Sequence, residues 1–357
     1  MTINKIPLVS VILTTQNRAQ LLKRAIDSVI NQTYFNIEII IVDDASMDNT
    51  EEVVQEYIKQ DSRVQYLKNK QKLGANVSRN KGILASKGKF IAGLDDDDEF
   101  MPNRIELLIK NYDDNYAFIT SNNLIVKDGS LTISSKKPII YLEDMLYNNR
   151  VDNQACIEKS RLQEVGLYDE KLTACQDYDM WMRLILKYGN VKVIEEATQI
   201  IYRNSSLQRI STNSKNKYYG YYNFYKKYKY LMNEYYRKVH LIRIYDIKSN
   251  NDIASELAVK ILINKIKNSP VNNFSIFGIN TIAIEIIKFL NNNKIKINFL
   301  IDSNKRKQKI GNHMITTVEE VIGVETNFII CSISSYEQIK TLLHECNQSK
   351  QPNLISI

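Results

Sequence analysis

Gly88-Lys-Phe-Ile-Ala-Gly-Leu-Asp-Asp-Asp-Asp-Glu-Phe-Met-Pro102 couples a short apolar run to four consecutive aspartates, and Pro102 then opens a helical pattern. Four adjacent carboxylates repel one another, so a turn that only reverses the chain gains nothing from them. A hard cation such as Mg²⁺ or Mn²⁺ turns that repulsion into attraction, because it takes oxygen ligands and accepts clustered negative charge. Isolated acidic runs are most often solvated loops. Here the flanking signals put the aspartates where a strand of an open α/β sheet ends, which is where such sheets bind ligands.

Upstream, Leu8 to Thr14 and Ile37 to Val42 are β-branched apolar runs, the pattern of strands buried on both faces. Leu21, Leu22, Ala25, Ile26, Val29 and Ile30 repeat at helical spacing between them. Asp48 with Glu51 resembles a capping box for a helix through Val53, Val54, Tyr57 and Ile58. Val64 to Leu67 reads as a strand, Asn76 to Ser86 as a helix and Phe90 to Leu94 as the strand that delivers the aspartates. This alternation predicts a mostly parallel sheet flanked by helices.

Beyond residue 113 the pattern weakens. Ala117 to Thr120 reads as a strand and 127–140 as a turn-rich excursion. Periodicity returns at Ser160 to Asp169, and a helix begins near Gln176 with Met180, Trp181, Leu184, Ile185 and Tyr188 on one face. Val191 to Ile194 and Thr198 to Tyr202 read as two closing strands. Residues 213–269 are expected as a Tyr/Lys-rich helical connector, whose tyrosines pack against neighbouring domains or lie in a lipid headgroup layer.

From 270 to 357 a smaller α/β domain is predicted, with strands at Asn273–Phe277, Ile297–Ile301 and Asn327–Ile333 and helices through Ile282–Leu290 and Tyr336–Cys346. It is Rossmann-like. However, its first turn reads Gly278-Ile-Asn-Thr-Ile-Ala283 in place of G-x-G-x-x-G, and Asn280 carries a side chain where backbone must approach a pyrophosphate. Asp302 stands where a ribose-binding acid would sit. A structural or interaction role is favoured over a dinucleotide site, and no NAD is expected.

The 357 residues carry 48 basic and 40 acidic side chains, a formal charge of +8, much of it after residue 215. That excess suits anionic partners without selecting one. Four cysteines without CxxC spacing suggest a reduced, cytoplasmic setting. No apolar run approaches the roughly 20 residues that span a bilayer, and Met1 to Pro7 has no signal core. A soluble protein, or one peripheral to the inner face of the plasma membrane, is the expectation.

Four segments then fall in order: Val11-Ile-Leu-Thr-Thr-Gln-Asn-Arg18, Ile41-Val-Asp-Asp-Ala-Ser-Met-Asp-Asn-Thr50, Leu73-Gly-Ala-Asn-Val-Ser-Arg-Asn-Lys-Gly-Ile83 leading into Leu94-Asp-Asp-Asp-Asp98, and Gln176-Asp-Tyr-Asp-Met-Trp-Met-Arg-Leu184. As a set they resemble the family 2 glycosyltransferases of GT-A fold, over about residues 7 to 210. The resemblance implies a GT-A domain at 1–212. It also implies that Thr14, Gln16 and Asn17 lie beside the nucleotide base and ribose, with Gln16 where the family usually has tyrosine. Asp43 and Asp44 match the acidic pair at the base, and Arg79 the arginine near the diphosphate. Asp95 and Asp97 match the DxD pair that binds Mn²⁺ or Mg²⁺, with Asp96 near the ribose and donor sugar. Asp177 matches the catalytic base, although Gln176 replaces the usual preceding glutamate, and Asn204 stands where many relatives place a histidine.

The chemistry agrees with that assignment. Cleaving a sugar–phosphate bond leaves a diphosphate whose charge a divalent cation stabilises, and the attacking hydroxyl must give its proton to a carboxylate. A helix N-terminus would depress the pKa of Asp177, while Asp179 and the acidic cluster would raise it. Simple helix capping is the plainer reading of both aspartates. The implied activity is inverting, non-processive transfer of one hexosyl or N-acetylhexosaminyl group from a UDP-sugar. The implied acceptor is a saccharide on a polyprenyl diphosphate, in O-antigen or capsule assembly. The alternatives are a non-catalytic nucleotide-sugar scaffold and a nucleotidyltransferase, the latter disfavoured because Thr14 to Arg18 lacks a glycine-rich, lysine-bearing loop. Nothing beyond the Tyr/Lys-rich segment points to nucleic acid.

Overall fold

The structure, a computed structural model, describes residues 6–203, 214–247, 251–278, 280–302, 309–310, 313–316, 321, 327–331 and 353–356. The chain divides into two compact units, Met1–Tyr228 and Lys229–Ile357. The expected connector at 213–269 is shared between them.

In the first unit the apolar runs become β1 (Val9–Thr15) and β2 (Ile37–Asp43), buried along nearly their whole length. Val9, Val11 and Leu13 meet Leu22, Ala25, Ile26 and Val29 of α1 (Ala19–Ile30) in one cluster. Each of these Val, Leu and Ile side chains contributes about 1.5–3 kcal/mol by leaving water. Then come α2 (Thr50–Gln60), β3 (Val64–Lys68), α3 (Ala75–Ala85) and β4 (Phe90–Asp95), which ends in the acidic run. α3 lies tightly on the other face because residue 82 is glycine: a Cβ there would stand 2.7 Å from Ile12 Cγ2.

The remainder is β5 (Glu99–Phe100), α4 (Arg104–Lys110), β6 (Phe118–Lys127), β7 (Ser130–Ser134), β8 (Ile139–Ile140), α5 (Leu142–Tyr147), β9 (Cys156–Glu158), α6 (Lys159–Glu164), α7 (Gln176–Tyr188), β10 (Val191–Tyr202) and α8 (Ser214–Tyr228). The sheet order is β3-β2-β1-β4-β9-β6-β10-β5, with β7 on β6 and β8 on β10. β3, β2, β1 and β4 are mutually parallel, as are β6 and β10, and the antiparallel β9 is inserted between the two groups.

Several local expectations change. The two closing strands are one strand, β10, whose register shifts around Ala197 where Glu195 and Glu196 reach solvent. The strand expected at Ala117 to Thr120 runs on to Lys127 and turns through Asp128 and Gly129, both at positive φ, into β7. Asp48 caps no helix through Glu51. It accepts from the backbone and hydroxyl of Thr50 and from the backbone N–H of Ala19.

The second unit comprises α9 (Glu234–Ile247), α10 (Asn251–Lys267), β11 (Asn273–Phe277), α11 (Thr281–Asn292), β12 (Lys296–Ile301), β13 (Lys309–Ile310), β14 (His313–Thr316), β15 (Asn327–Ile330) and β16 (Asn353–Ser356). Its sheet order is β13-β14-β12-β11-β15-β16, parallel except for β13. The helix expected at Tyr336–Cys346 lies outside the described residues.

Candidate active site

The order of the first sheet reverses at β1. The chain leaves β1 for β2 and β3, then returns to place β4 on the other side of β1. The strands end together, Thr15 beside Asp43 and Thr14 beside Asp95. A crevice outside the carboxyl ends of strands at such a switch point is the general binding position of open α/β sheets. Thr14, Gln16, Asn17, Asp43, Asp44 and the acidic run all lie at that edge.

Neighbours in the acidic run face different partners. Asp96 turns toward β1, accepting from Thr15 Oγ1 at 2.8 Å and pairing with Arg18 Nη1 at 3.0 Å. Burial pushes the Asp96 carboxyl up to about 6, against the pull of Arg18 and Thr15. Asp95 takes Arg79 Nη2 at 3.0 Å and Asn153 Nδ2 at 2.6 Å. Asp98 accepts the backbone N–H of Tyr202 at 3.1 Å, and Arg24 donates to the Asp97 carbonyl at 2.6 Å. Asp95, Asp97 and Asp98 each offer an oxygen, all within 4.8 Å of one another. Ligands about 2.1 Å from one Mg²⁺ span about 4 Å. This oxygen-only donor set is therefore near the size and hardness that such an ion requires, and Asp98 joins the expected pair.

Asp43 and Asp44 are already engaged by the chain. Asp43 takes the Ser46 N–H at 2.7 Å and the Tyr66 hydroxyl at 2.5 Å. Asp44 holds the 69–74 turn through Asn69 Nδ2 and the N–H groups of Leu73 and Gly74. Asn17, at positive φ, links the two strand ends: its N–H donates to Ser46 Oγ and its side-chain oxygen accepts from the Met47 N–H. These residues frame the crevice. Both Asp43 oxygens and Asp44 Oδ2 accept one bond each and retain a lone pair for a ligand, whereas Asp44 Oδ1 already accepts two.

Arg79 rises from α3, with Nη2 on Asp95 and Nη1 buried without a hydrogen-bond partner. Asp177 sits in the first turn of α7, and its Oδ1 is likewise buried and unpartnered. Burial pushes the Asp177 carboxyl up to about 6, Arg79 opposes the rise and Asp95 adds to it. The depression expected from the helix N-terminus is outweighed, because a carboxylate removed from water loses more than a partial helix charge returns. Neither aspartate of this turn caps α7. Asp179 instead binds Arg183, Lys227 and Tyr228. The two poles of the site are also tied through one turn: Asn153 holds Asp95, while the Asp152 carbonyl accepts the Trp181 indole N–H of α7 at 2.9 Å.

Arg18, Asp98 and Asn153 were not expected at the site. Arg18 and Asp98 are the last residues of two quoted motifs, to which no role was assigned, whereas nothing in the sequence around Asn153 announces it. Asn204 lies outside the described residues.

The crevice of the second sheet differs. Gly278, at φ 82°, makes the turn after β11. Asn280 then fills the start of α11, its Oδ1 accepting from the Ala283 N–H at 3.0 Å and its Nδ2 donating to the Cys331 carbonyl at 2.8 Å. The helix end that would cradle a pyrophosphate is capped by the chain itself.

Residues 10–173 match the family model described as glycosyl transferase family 2. An Escherichia coli K12 protein named as a colanic acid biosynthesis glycosyl transferase, WcaA, is 36% identical over 254 residues, covering 68% of this chain and 89% of that protein. The GalNAc(5)-diNAcBac-PP-undecaprenol beta-1,3-glucosyltransferase of Campylobacter jejuni is 41% identical over 127 residues, 35% of this chain and 41% of that one. Among solved structures, S. aureus TarS 1–349 in complex with UDP-GlcNAc superposes with a TM-score of 0.53 at 15% identity, over 71% of this chain and 80% of that one. That likeness concerns the fold.

Proposed function

The chain belongs to glycosyl transferase family 2 and is a glycosyltransferase, and on that premise we propose that it moves a single sugar, with inversion, from a UDP-sugar to a saccharide acceptor on a polyprenyl diphosphate in bacterial surface polysaccharide assembly. The observation that carries the chemical part is the Asp177 oxygen, buried without a partner and within electrostatic range of Arg79 and Asp95. An orphaned buried carboxylate costs stability, and an incoming hydroxyl would relieve it.

In this reading Thr14, Gln16 and Asn17 flank the base and ribose, and Asp43 or Asp44 accepts the uracil imide N–H. Arg79 lies along the diphosphate, and Asp96 near the ribose and donor sugar. Asp95 and Asp97, with Asp98, would hold Mn²⁺ or Mg²⁺, which supplies charge neutralisation to the departing diphosphate. Asp177 accepts the proton of the acceptor hydroxyl as that oxygen bonds the anomeric carbon from the face opposite the breaking bond to UDP. A carboxyl raised to about 6 is ionised at neutral pH yet more basic than a free aspartate, which suits that step. The WcaA likeness supports a role in polysaccharide synthesis, the Campylobacter enzyme a lipid-linked acceptor and TarS a UDP-sugar donor. Among the described residues no helix is long and apolar enough to cross a membrane. In the proposed reading the acceptor is met at the inner face of the plasma membrane.

A panel of UDP-sugars, incubated with Mn²⁺ and no acceptor, tests this directly. Slow release of UDP from one sugar supports the reading. Turnover that occurs only when pyrophosphate is added and yields UTP and a sugar 1-phosphate, or no turnover of any member, contradicts it.

A further inference from the structure

Helix α8 lies outside the residues matched by the family model, yet it grips the turn that carries Asp177. Asp179, 1% exposed, receives Lys227 Nζ at 2.6 Å and the Tyr228 hydroxyl at 2.8 Å, both from α8, and Arg183 Nε at 2.8 Å from its own helix. One residue earlier, the Tyr178 ring stacks on Phe224 of α8 with centroids 3.7 Å apart. Before the helix starts, Ala174 meets α8 at Gly220 so closely that a Cβ on residue 220 would stand 2.7 Å from the Ala174 carbonyl oxygen. These contacts reach positions 174, 178 and 179, and Cys175 between them holds a left-handed conformation at φ 59°.

A surface helix needs no buried carboxylate to dock. A buried charge is costly unless several donors hold it, and three donors meeting at one carboxylate fix both helices in register. We propose that α8 is a brace for the catalytic turn, with Asp179, Lys227 and Tyr228 as positioning residues that hold Asp177 at the acceptor side. The Tyr/Lys-rich sequence is then part of the transferase machinery. The inference rests on the role proposed for Asp177. Misplacing a reacting group by about 1 Å costs on the order of a hundredfold in rate, so partial loosening should cost about tenfold.

The test uses the full chain with Lys227→Met, Tyr228→Phe and the conservative Lys227→Arg, and avoids Asp179 variants because those threaten folding. Lys227→Met and Tyr228→Phe should each lower kcat about tenfold with donor KM and UDP affinity within twofold, and Lys227→Arg should recover most of the rate. Amide exchange in the peptide spanning 174–182 should quicken in the first two variants, with α1 unchanged. Unchanged kcat, a loss shared equally by kcat and donor binding, or unchanged exchange at 174–182 overturns the brace. An inactive wild-type chain instead overturns the catalytic reading on which the brace depends.

Discussion

The two sheets present similar crevices and fill them in opposite ways. Each has a turn after its first strand and an acid after the second, Asp44 in one unit and Asp302 in the other. In the first unit the strand ends converge on three carboxylates within 4.8 Å, a buried arginine nitrogen without a partner and a buried carboxylate oxygen without one. In the second, Asn280 satisfies both the helix end and the neighbouring strand. Shared topology therefore does not carry function. In the proposed reading, the unpartnered Arg79 nitrogen and Asp177 oxygen at the strand ends are what a ligand would satisfy.

The largest expected contrast is catalytic. Asp177→Asn should lower transfer by about 10²–10⁴-fold while leaving UDP binding intact, and Asp302→Asn should change neither. A comparable loss from Asp302→Asn in a steady-state assay would break the contrast. The pH profile sharpens it. Because burial raises Asp177 to about 6, kcat/KM should fall tenfold per unit below about pH 6, and a profile flat down to pH 5 would exclude this base.

A smaller effect concerns stability at the opposite end of the first sheet. Glu38 is buried, yet hydrogen bonds from Ser10, Lys87, Gln65 and Gly88 outweigh desolvation and lower its pKa. A depressed carboxylate stabilises the fold above its unfolded pKa of about 4.3, and that contribution vanishes as pH falls through the folded value. Glu38→Gln should cost about 1–3 kcal/mol in urea unfolding at pH 7, and the difference from wild type should shrink below about pH 4. Least of all, Asn280→Ala should cost about 1 kcal/mol through the lost cap and leave transfer unchanged, and NADH should not shift the melting temperature.

The sequence was most legible where chemistry is local. β1 and β2 read correctly because strands buried on both faces are continuously apolar, and the acidic run announced itself by charge density. It was misread where the answer depends on distant packing. The Asp177 pKa turned on burial that no spacing reveals, and Asn153 reaches Asp95 across 58 positions. Two misreadings were avoidable. Asp128-Gly129 is a strong signal for a two-residue hairpin, which the reading of 127–140 as a turn-rich excursion left unspecified. Glu195 and Glu196 looked like a break between strands but are the exposed bulge of one. The Tyr/Lys-rich stretch read as a connector because composition shows amphipathic side chains and not their partner. For Lys227 and Tyr228 that partner is the buried Asp179 of α7.

The account rests on the acidic tip of β4 holding a divalent ion against a nucleoside diphosphate. Isothermal titration of UDP into the full chain, with and without Mn²⁺, tests it most directly. Binding should require the metal and be abolished by Asp97→Ala. Equal binding by the variant, or binding indifferent to Mn²⁺, would contradict it.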